Sequence, residues 1–319
     1  MILVYAEHDR GELDPVTLQA ISAAKALDAD VQAVVVGHGA KDVAAELAAF
    51  GAVSVHVGNH PELLDFTPRA HARAVNALVT ANSPRAVIAG GTPRGNEVLG
   101  HLAAMRDEPF ASECVSVELA SGDTAEIVRA RWGGNLLDEA TVTSSLLIAT
   151  VQAHAFAATP ADAPLAVSEF DVELADGDVL VRVEDRVGSS AGGVGLAEAK
   201  VVVSGGRGMD GPDAFVMLEE IAGAIGGAVG CSRVVTSAGW RPHAEQVGQT
   251  GTKVAPDLYL ACGISGATQH IAGCKSAKTL IAINTDSQAP IMGFADYMVV
   301  DNVHTFLPLF IEKLKAATN

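Results

Sequence analysis

The sequence is poor in several residue types, and each shortage excludes a class of protein. Aromatic residues make up only 4% of the 319 residues whereas 49% are hydrophobic, so aliphatic side chains must fill the core. This composition is typical of parallel α/β folds and disfavours all-β sandwiches. Gly, Pro or charged residues interrupt the richest apolar stretches, so no run is long enough to span a bilayer.

Disulfide and metal-binding patterns are also missing. The 4 cysteines, Cys114, Cys231, Cys262 and Cys274, form no CxxC pair and show no metal-ligand spacing, and the 10 histidines form no HExxH motif. We therefore expect the cysteines to be small buried hydrophobic residues and predict no metal site.

Basic residues are scarce. The chain has 21 Lys and Arg against 38 Asp and Glu, which gives a net charge of −17. Such a surface repels phosphates, so we expect no nucleic acid partner and no docking to an anionic membrane. Few Lys with abundant Ala and carboxylates also predict a halophilic protein. Residues 1–5 read as a strand with no basic segment before it, so a cytoplasmic protein without a signal peptide is expected.

The first part of the chain alternates strand and helix patterns, which predicts a parallel sheet covered by helices over a domain at 1–190. The predicted strands are residues 2–7, 31–36, 53–57 and 86–89, and the predicted helices are residues 15–27, 42–50 and 68–80. From residue 112 to 183 the runs are strand-like, which indicates sheet extensions or a hairpin around residues 175–178.

A Gly- and Ser-rich segment at residues 188–195 predicts a linker, and a second β-α alternation follows in a domain at 196–319. Its predicted strands are residues 200–204, 258–262, 279–284 and 297–301, with helices at residues 212–226 and 306–314. The fold class is therefore α/β with two domains, each a mainly parallel sheet covered by helices, the C-terminal one doubly wound.

Three loops of the second domain follow strands, where ligands bind in open parallel sheets. In the first, Gly206, Gly208 and Gly211 fit the GxGxxG spacing that brings backbone N–H groups close to a phosphate. The dinucleotide pattern also expects a carboxylate about twenty residues later. Residues 231–237 contain none, which disfavours a standard NAD site.

The other two loops are polar and small. Gln246-Val247-Gly248-Gln249-Thr250-Gly251 presents an amide and a hydroxyl, or is an ordinary surface turn. Residues 265–270 again suit phosphate approach, and they end at His270, although a lone histidine is more often structural. In the first domain, residues 90–95 fit a strand-to-helix turn better than a phosphate site.

These segments together resemble the electron transfer flavoprotein alpha-subunit family. The pairs and loops at residues 232–233, 246–251, 265–270 and 282–284 occur in the order and spacing of that family, and the string at 246–251 is the most diagnostic. The resemblance covers residues 200–302 closely. The first domain matches in layout and in fragments such as Gly133-Gly134-Asn135.

The resemblance implies that FAD lies across the second domain. Arg207, Ser232 and residues 265–267 are expected at the phosphates, Thr250 near the flavin N5, Arg233 and His270 by the ring, and Asn284 and residues 302–303 at the adenosine. The family usually has Asp where this chain has Asn302. The full set of expected cofactor-binding residues is Arg207, Ser232, Arg233, Val247, Gly248, Gln249, Thr250, Ser265, Gly266, Ala267, Thr268, Gln269, His270, Asn284, Asn302 and Val303.

The same resemblance implies an electron carrier rather than a stand-alone enzyme. It would form a heterodimer with a beta subunit and pass electrons from dehydrogenases, such as acyl-CoA dehydrogenase, to an acceptor such as a flavoprotein–quinone oxidoreductase. Three alternatives remain: the alpha subunit of an electron-bifurcating flavoprotein, an NAD(P)-binding component, and an interaction subunit that has lost its cofactor. The presence of Arg233, Gln249, Thr250 and His270 together disfavours the last of these.

Overall fold

The chain forms two compact α/β units, Met1–Val187 and Gly188–Asn319, each built on a mainly parallel sheet. The computed structural model describes residues 1–134, 136–184, 195–197 and 199–318. The predicted linker therefore lies outside the described residues except for Gly195, as does Asn135 of the fragment noted above. The predicted fold class is confirmed.

The first unit holds a 9-stranded sheet in the order β11-β5-β4-β1-β6-β10-β7-β8-β9 and a small hairpin of β2 and β3. The strands are β1 (Ile2–Tyr5), β2 (His8–Asp9), β3 (Glu12–Leu13), β4 (Val31–Val36), β5 (Ser54–Asn59), β6 (Ala86–Gly90), β7 (Phe110–Leu119), β8 (Thr124–Arg131), β9 (Leu136–Thr143), β10 (Leu147–Val151) and β11 (Ala166–Asp171). All neighbours pair in parallel except β7, β8 and β9, which form an antiparallel extension. The central strands are fully buried because helices cover both faces.

Four helices cover this sheet, and their starts follow the usual chemistry of helix N-termini. They are α1 (Pro15–Leu27), α2 (Ala44–Ala49), α3 (Pro68–Asn82) and α4 (Pro93–Arg106). Proline opens three of them, where its missing N–H has no intrahelical partner to lose. The Thr92 hydroxyl accepts from Gly95 N–H at 2.8 Å and caps α4. The interpretation of residues 90–95 as a strand-to-helix turn is confirmed.

Of the two alternatives for residues 112–183, the sheet extension is confirmed by β7, β8 and β9, and the hairpin around residues 175–178 is wrong. The segment is a turn closed by Asp178 N–H donating to the Ala175 carbonyl at 3.1 Å, but residues 179–184 form no strand. The reason is the buried Asp178 carboxylate, which binds Arg69 at 2.9 Å and Arg73 at 3.0 Å on α3. Those ion pairs fasten the turn to a helix instead of to a neighbouring strand.

The second unit holds a 5-stranded parallel sheet in the order β13-β12-β14-β15-β16. The elements are β12 (Val201–Gly205), α5 (Phe215–Ala224), β13 (Ala228–Cys231), α6 (Arg233–Ser237), β14 (Leu258–Cys262), α7 (Thr268–Cys274), β15 (Leu280–Asn284), β16 (Tyr297–Val300) and α8 (Val303–Thr318). The predicted helix at 212–226 is shorter, because a 3-10 turn at Pro212–Ala214 precedes α5. The chain moves outward from β12 to β13 and then crosses back to β14, which creates a topological switch point between β12 and β14.

The cores are aliphatic, as the composition predicts. The four cysteines are free and buried. Burial raises the pKa of the Cys262 thiol to about 12, so it stays protonated and packs as a hydrophobic side chain. Among the described residues no group of His, Cys, Asp and Glu has a metal-binding arrangement, and no helix is long and apolar enough to cross a membrane.

Candidate functional site

A cavity of about 740 Å³ opens at the carboxyl edge of the second sheet, over the β12/β14 switch point. All but one of the residues expected at a cofactor line it: Arg207, Ser232, Arg233, Val247, Gly248, Gln249, Thr250, Ser265, Gly266, Ala267, Gln269, His270, Asn284, Asn302 and Val303. Thr268 is the exception, because it begins α7 as an exposed residue outside the cavity wall. Loops far apart in the sequence thus meet at one site.

Two of the three GxGxxG glycines, Gly206 and Gly208, serve the packing of two loops, whereas a Cβ at Gly211 would meet nothing within 4 Å. A Cβ at Gly206 would lie 2.3 Å from the Gly263 carbonyl oxygen, and one at Gly208 would lie 2.8 Å from the Gly263 Cα. Gly263 itself has a φ of +62°, a conformation that L side chains rarely adopt. The loops after β12 and β14 therefore touch backbone to backbone, which explains these glycines without any ligand.

The two loops differ in whether their backbone N–H groups are free to bind a ligand, a difference that their glycines do not show. After β12, Gly206 and Gly208 donate to the carbonyls of Cys262 and Gly263 at 2.9 and 3.0 Å, and the next two N–H groups bond within the loop. After β14, the consecutive N–H groups of residues 265–269 make no hydrogen bond within the described residues. Such a run of free donors suits an anion, so the third loop is the better phosphate site.

Two arginines add positive charge to the cavity wall. Arg207 follows β12 and Arg233 opens α6, and both are exposed. Neither joins an ion pair within the part of the chain that the structure describes. In a chain with a net charge of −17, two unpaired arginines at one cavity favour an anionic ligand.

His270 lies at the wall as a buried neutral imidazole. Its Nε2 is 2.9 Å from the Tyr259 hydroxyl, and both side chains are buried. Burial lowers the pKa of His270 to about 4, an effect that the backbone of Val247 opposes only in part. Within the described residues Nδ1 has no well-formed hydrogen bond, so one buried polar atom at the cavity lacks a full partner.

A second buried polar group stands behind Thr250. The Gln246 side chain, 2% exposed, accepts from the Thr236 hydroxyl at 2.7 Å and donates from Nε2 to Thr250 Oγ1 at 3.0 Å. The Thr250 oxygen already accepts one hydrogen bond, so its own proton is free to donate into the cavity.

The two asparagines expected at an adenosine hold the protein itself. Asn284 donates to the Ile264 carbonyl at 2.9 Å and so braces the loop that carries the free N–H groups. Asn302 Oδ1 accepts from His304 N–H at 2.9 Å and caps α8. Both residues line the cavity, but both polar atoms of the Asn284 side chain bind the protein, since its Oδ1 accepts from Asp286 N–H at 3.0 Å.

Sequence reasoning did not select several residues of this wall. The additional lining residues are Asp210, Val234, Ser237, Gly263, Ile264, Thr285 and Asp301, whereas Gly208 and Gln246, which also line it, belong to loops that the sequence singled out without assigning them to the cofactor. Most sit within two positions of a predicted residue, so the loop boundaries carried the available signal. Tyr259 was also missed, although a tyrosine inside a buried strand requires a hydrogen-bond partner for its hydroxyl.

Comparison with known proteins decides the family. A model of the electron transfer flavoprotein domain matches residues 2–175, and a model of the electron transfer flavoprotein FAD-binding domain matches residues 195–275. The chain is 33% identical to the electron transfer flavoprotein subunit alpha of Thermoanaerobacterium thermosaccharolyticum, over 98% of this chain and 97% of the relative. The Bacillus subtilis subunit is also 33% identical, with the same coverage, and the Pseudomonas aeruginosa subunit is 37% identical over 96% of this chain and 97% of the relative. This chain belongs to the electron transfer flavoprotein alpha-subunit family.

The second unit therefore carries the FAD-binding domain of this alpha-subunit family, and its residues fit FAD. The free N–H groups at 265–269 and the unpaired Arg207 suit a pyrophosphate. The incompletely bonded Nδ1 of His270 and the Thr250 hydroxyl suit the polar edge of a flavin ring. The family match therefore favours FAD over the NAD(P)-binding alternative.

Proposed function

We propose that this alpha-type chain binds one FAD in the cavity at 207–303 and, together with a beta subunit, carries electrons between a dehydrogenase and a downstream acceptor. One observation carries the proposal. Within the described residues, a run of free backbone N–H groups, two unpaired arginines and a buried imidazole whose Nδ1 has no well-formed hydrogen bond all line one cavity at the switch point.

Different groups of residues hold different parts of the cofactor. Arg207, the Ser232 hydroxyl and the N–H groups at 265–269 hold the pyrophosphate, because these donors have no competing partner in the described chain. Arg233, Gln249, Thr250 and His270 lie by the ring. When bound, FAD supplies the redox centre, and the protein tunes it through the charges and donors near the ring nitrogens.

At the ring, Arg233 contributes charge and His270 contributes a hydrogen bond. With its pKa lowered to about 4 by burial, His270 is neutral at pH 7 and acts as a donor rather than as a cation. Arg233 is a cation, so it favours electron density on the ring.

The proposal also includes the protein's partners and its cellular location. The relatives are named alpha subunits, which supports a beta subunit as the partner of a heterodimer. We further propose dehydrogenases such as acyl-CoA dehydrogenase as donors, a flavoprotein–quinone oxidoreductase as acceptor, and a cytoplasmic, halophilic protein.

Titration of the full chain with FAD, FMN and NAD⁺ tests the cofactor. We expect one FAD per chain and a yellow holoprotein, weaker binding of FMN because it lacks the adenosine, and no binding of NAD⁺. Equal affinities for FMN and FAD, or no binding of FAD, would contradict the proposal.

Two arginine variants test the division of roles. Arg207→Ala should weaken FAD binding about tenfold or more, because a charge-assisted contact contributes about 1.5–3 kcal/mol, with little change in potential. Arg233→Ala should lower the reduction potential of bound FAD by tens of millivolts, since about 59 mV equals a tenfold change for one electron. The control Arg182→Ala removes the same charge from an exposed ion pair with Glu62 in the first unit and should change neither value.

A further inference from the structure

Behind the cavity, Tyr259 and His270 form a buried pair whose proton arrangement determines what the cavity wall offers. Tyr259 is the second residue of β14 and has no exposed surface, and its hydroxyl is 2.9 Å from His270 Nε2. The imidazole is neutral, so only one of its two nitrogens carries a hydrogen. Either Nε2 donates to the tyrosine oxygen, or the tyrosine donates to Nε2.

The surroundings of Tyr259 distinguish these two arrangements. The fully buried Ser204 hydroxyl interacts with the Tyr259 hydroxyl from β12. If Nε2 donated to Tyr259, the tyrosine hydrogen would turn to Ser204. That contact is not a well-formed hydrogen bond, so the buried tyrosine hydrogen would be left without a well-aligned acceptor among the described residues. An unsatisfied buried donor costs about 1–3 kcal/mol, so the opposite direction is favoured.

The other side of the ring gives an independent indication. The backbone of Val247 raises the pKa of His270, against the larger lowering by burial. Val247 N–H already donates to the Cys231 carbonyl at 2.9 Å, so the Val247 carbonyl is the group that acts on the ring, although it makes no well-formed hydrogen bond with Nδ1. A carbonyl only accepts, which favours a hydrogen on Nδ1.

We propose that Tyr259 is a positioning residue: its hydroxyl donates to His270 Nε2, holds the imidazole hydrogen on Nδ1, and so keeps a hydrogen-bond donor at the cavity wall. The hydrogen bond thus runs from Tyr259 to His270, and the imidazole hydrogen that remains lies at the cavity wall. A carbonyl oxygen of the flavin ring is an acceptor of the kind that this donor fits. This last step rests on the proposed function.

Nitrogen-15 NMR of the histidine rings reads the tautomer directly. In the full wild-type chain, without and with FAD, we expect a protonated Nδ1 and an unprotonated Nε2 for His270, assigned by comparison with His270→Asn. A protonated Nε2 in both states would overturn the proposal. This measurement needs no variant of Tyr259 and no bound cofactor.

Tyr259→Phe removes the hydroxyl and keeps the ring. We expect the Nε2 resonance to lose its hydrogen-bond shift and the second tautomer to appear. The dissociation constant of reduced FAD should rise about tenfold more than that of oxidised FAD, which equals a midpoint potential lowered by about 30 mV for two electrons. A merely structural role would weaken both redox forms equally.

The first unit supplies a matched control. Tyr5 is buried and its hydroxyl is 2.9 Å from His71 Nδ1, so Tyr5→Phe removes the same kind of hydrogen bond outside the cavity. It should leave the His270 resonances and the potential unchanged. If Tyr259→Phe matches Tyr5→Phe in both readings, the proposal is wrong. If the wild-type chain binds no FAD, the proposed function fails, whereas the tautomer in the FAD-free chain still decides the role of Tyr259.

Discussion

The hydroxyl of Thr250 is oriented by the buried side chain of Gln246, which donates a hydrogen bond to its oxygen. Gln246 is buried and bonds to Thr236 on one side and to Thr250 on the other, at 2.7 and 3.0 Å. Either threonine can be replaced by valine, which keeps the shape and removes one hydrogen bond to the same amide. Only Thr250 lines the cavity, so the pair separates a structural effect from an effect on the ligand.

We predict that Thr250→Val and Thr236→Val each lower the free energy of unfolding by about 1 kcal/mol. Only Thr250→Val should raise the dissociation constant of FAD, by about three- to tenfold. Denaturant unfolding and FAD titration of both variants measure these values. Equal FAD affinities in the two variants would remove Thr250 from the cofactor contacts.

Glu7 is a second residue whose environment has a measurable consequence, here in the first unit. Burial raises the pKa of Glu7 from 4.5 to about 7, and repulsion from Asp14 adds to this rise. The hydrogen bond from the Thr92 hydroxyl and the positive charge of Arg94 lower the pKa in part. Between pH 4.5 and 7 the folded chain then binds more protons at this site than the unfolded chain. Its contribution to the free energy of unfolding therefore falls as the pH rises, by about 3 kcal/mol across the window.

We predict that Glu7→Gln is more stable than the wild type at pH 8 and nearly equal to it at pH 5. The amide stays neutral and keeps an acceptor for the Thr92 hydroxyl. Denaturant unfolding at both pH values measures the difference, with Glu46→Gln, an exposed carboxylate on α2, as the control for net charge. A constant difference between the two pH values would show that Glu7 is ionised throughout.

At the scale of elements, the loop at 246–251 depends on a close approach to α7. A Cβ at Gly273 would lie 2.3 Å from the Gly248 nitrogen and 2.4 Å from its Cα. Backbone atoms cannot yield as a flexible side chain does, so any larger residue must move the loop that carries Thr250.

We predict that Gly273→Ala lowers the free energy of unfolding by about 1–3 kcal/mol and weakens FAD binding by more than tenfold. The control Gly223→Ala lies in α5 with nothing within 4 Å of its added Cβ. It should stabilise the chain by up to about 1 kcal/mol, because alanine is the better helix former, with FAD binding unchanged. Normal FAD affinity in Gly273→Ala would mean that the loop does not need this contact.

The sequence predicts an element well where local signals and the tertiary structure agree. Helix α1 begins at Pro15 and ends at Leu27 as predicted, because Asp14 caps it and the buried face has a clear period. The turn at 175–178 looked like a hairpin because its residues favour turns. Only the long-range ion pairs from Asp178 to α3 show why no strand follows.

The site was predictable in position more than in detail. The positions of the strand ends and the composition of the loops identified most of the lining residues from the sequence, since parallel strands place their following loops at one edge of the sheet. Which loop leaves its N–H groups free was not predictable, because that depends on the contact between Gly206 and Gly263 across two loops. The role of Tyr259 depends in the same way on a partner eleven residues away.

At the scale of the whole molecule, charge is the dominant feature. The 21 basic residues cannot neutralise the 38 acidic ones, and the net charge is −17. Carboxylates on the surface therefore repel one another. Many of the ion pairs are exposed, such as Lys278 with Asp257 and Lys41 with Glu169, and exposed pairs contribute little. Repulsion therefore opposes folding at low ionic strength.

We predict that the melting temperature of the full chain rises steeply with KCl and levels off near 1 M. The screening length falls from about 10 Å at 0.1 M to about 3 Å at 1 M, after which little repulsion is left to screen. A gain of about 2 kcal/mol would raise the melting temperature of a unit of this size by roughly 4–8 °C. A sucrose series is the control, because sucrose stabilises by exclusion from the surface without screening charge. A melting temperature that is the same at 0.1 and 1 M KCl would disprove the halophilic interpretation. A rise that continues linearly above 1 M, parallel to sucrose, would assign the effect to exclusion of the salt instead of to the −17 charge.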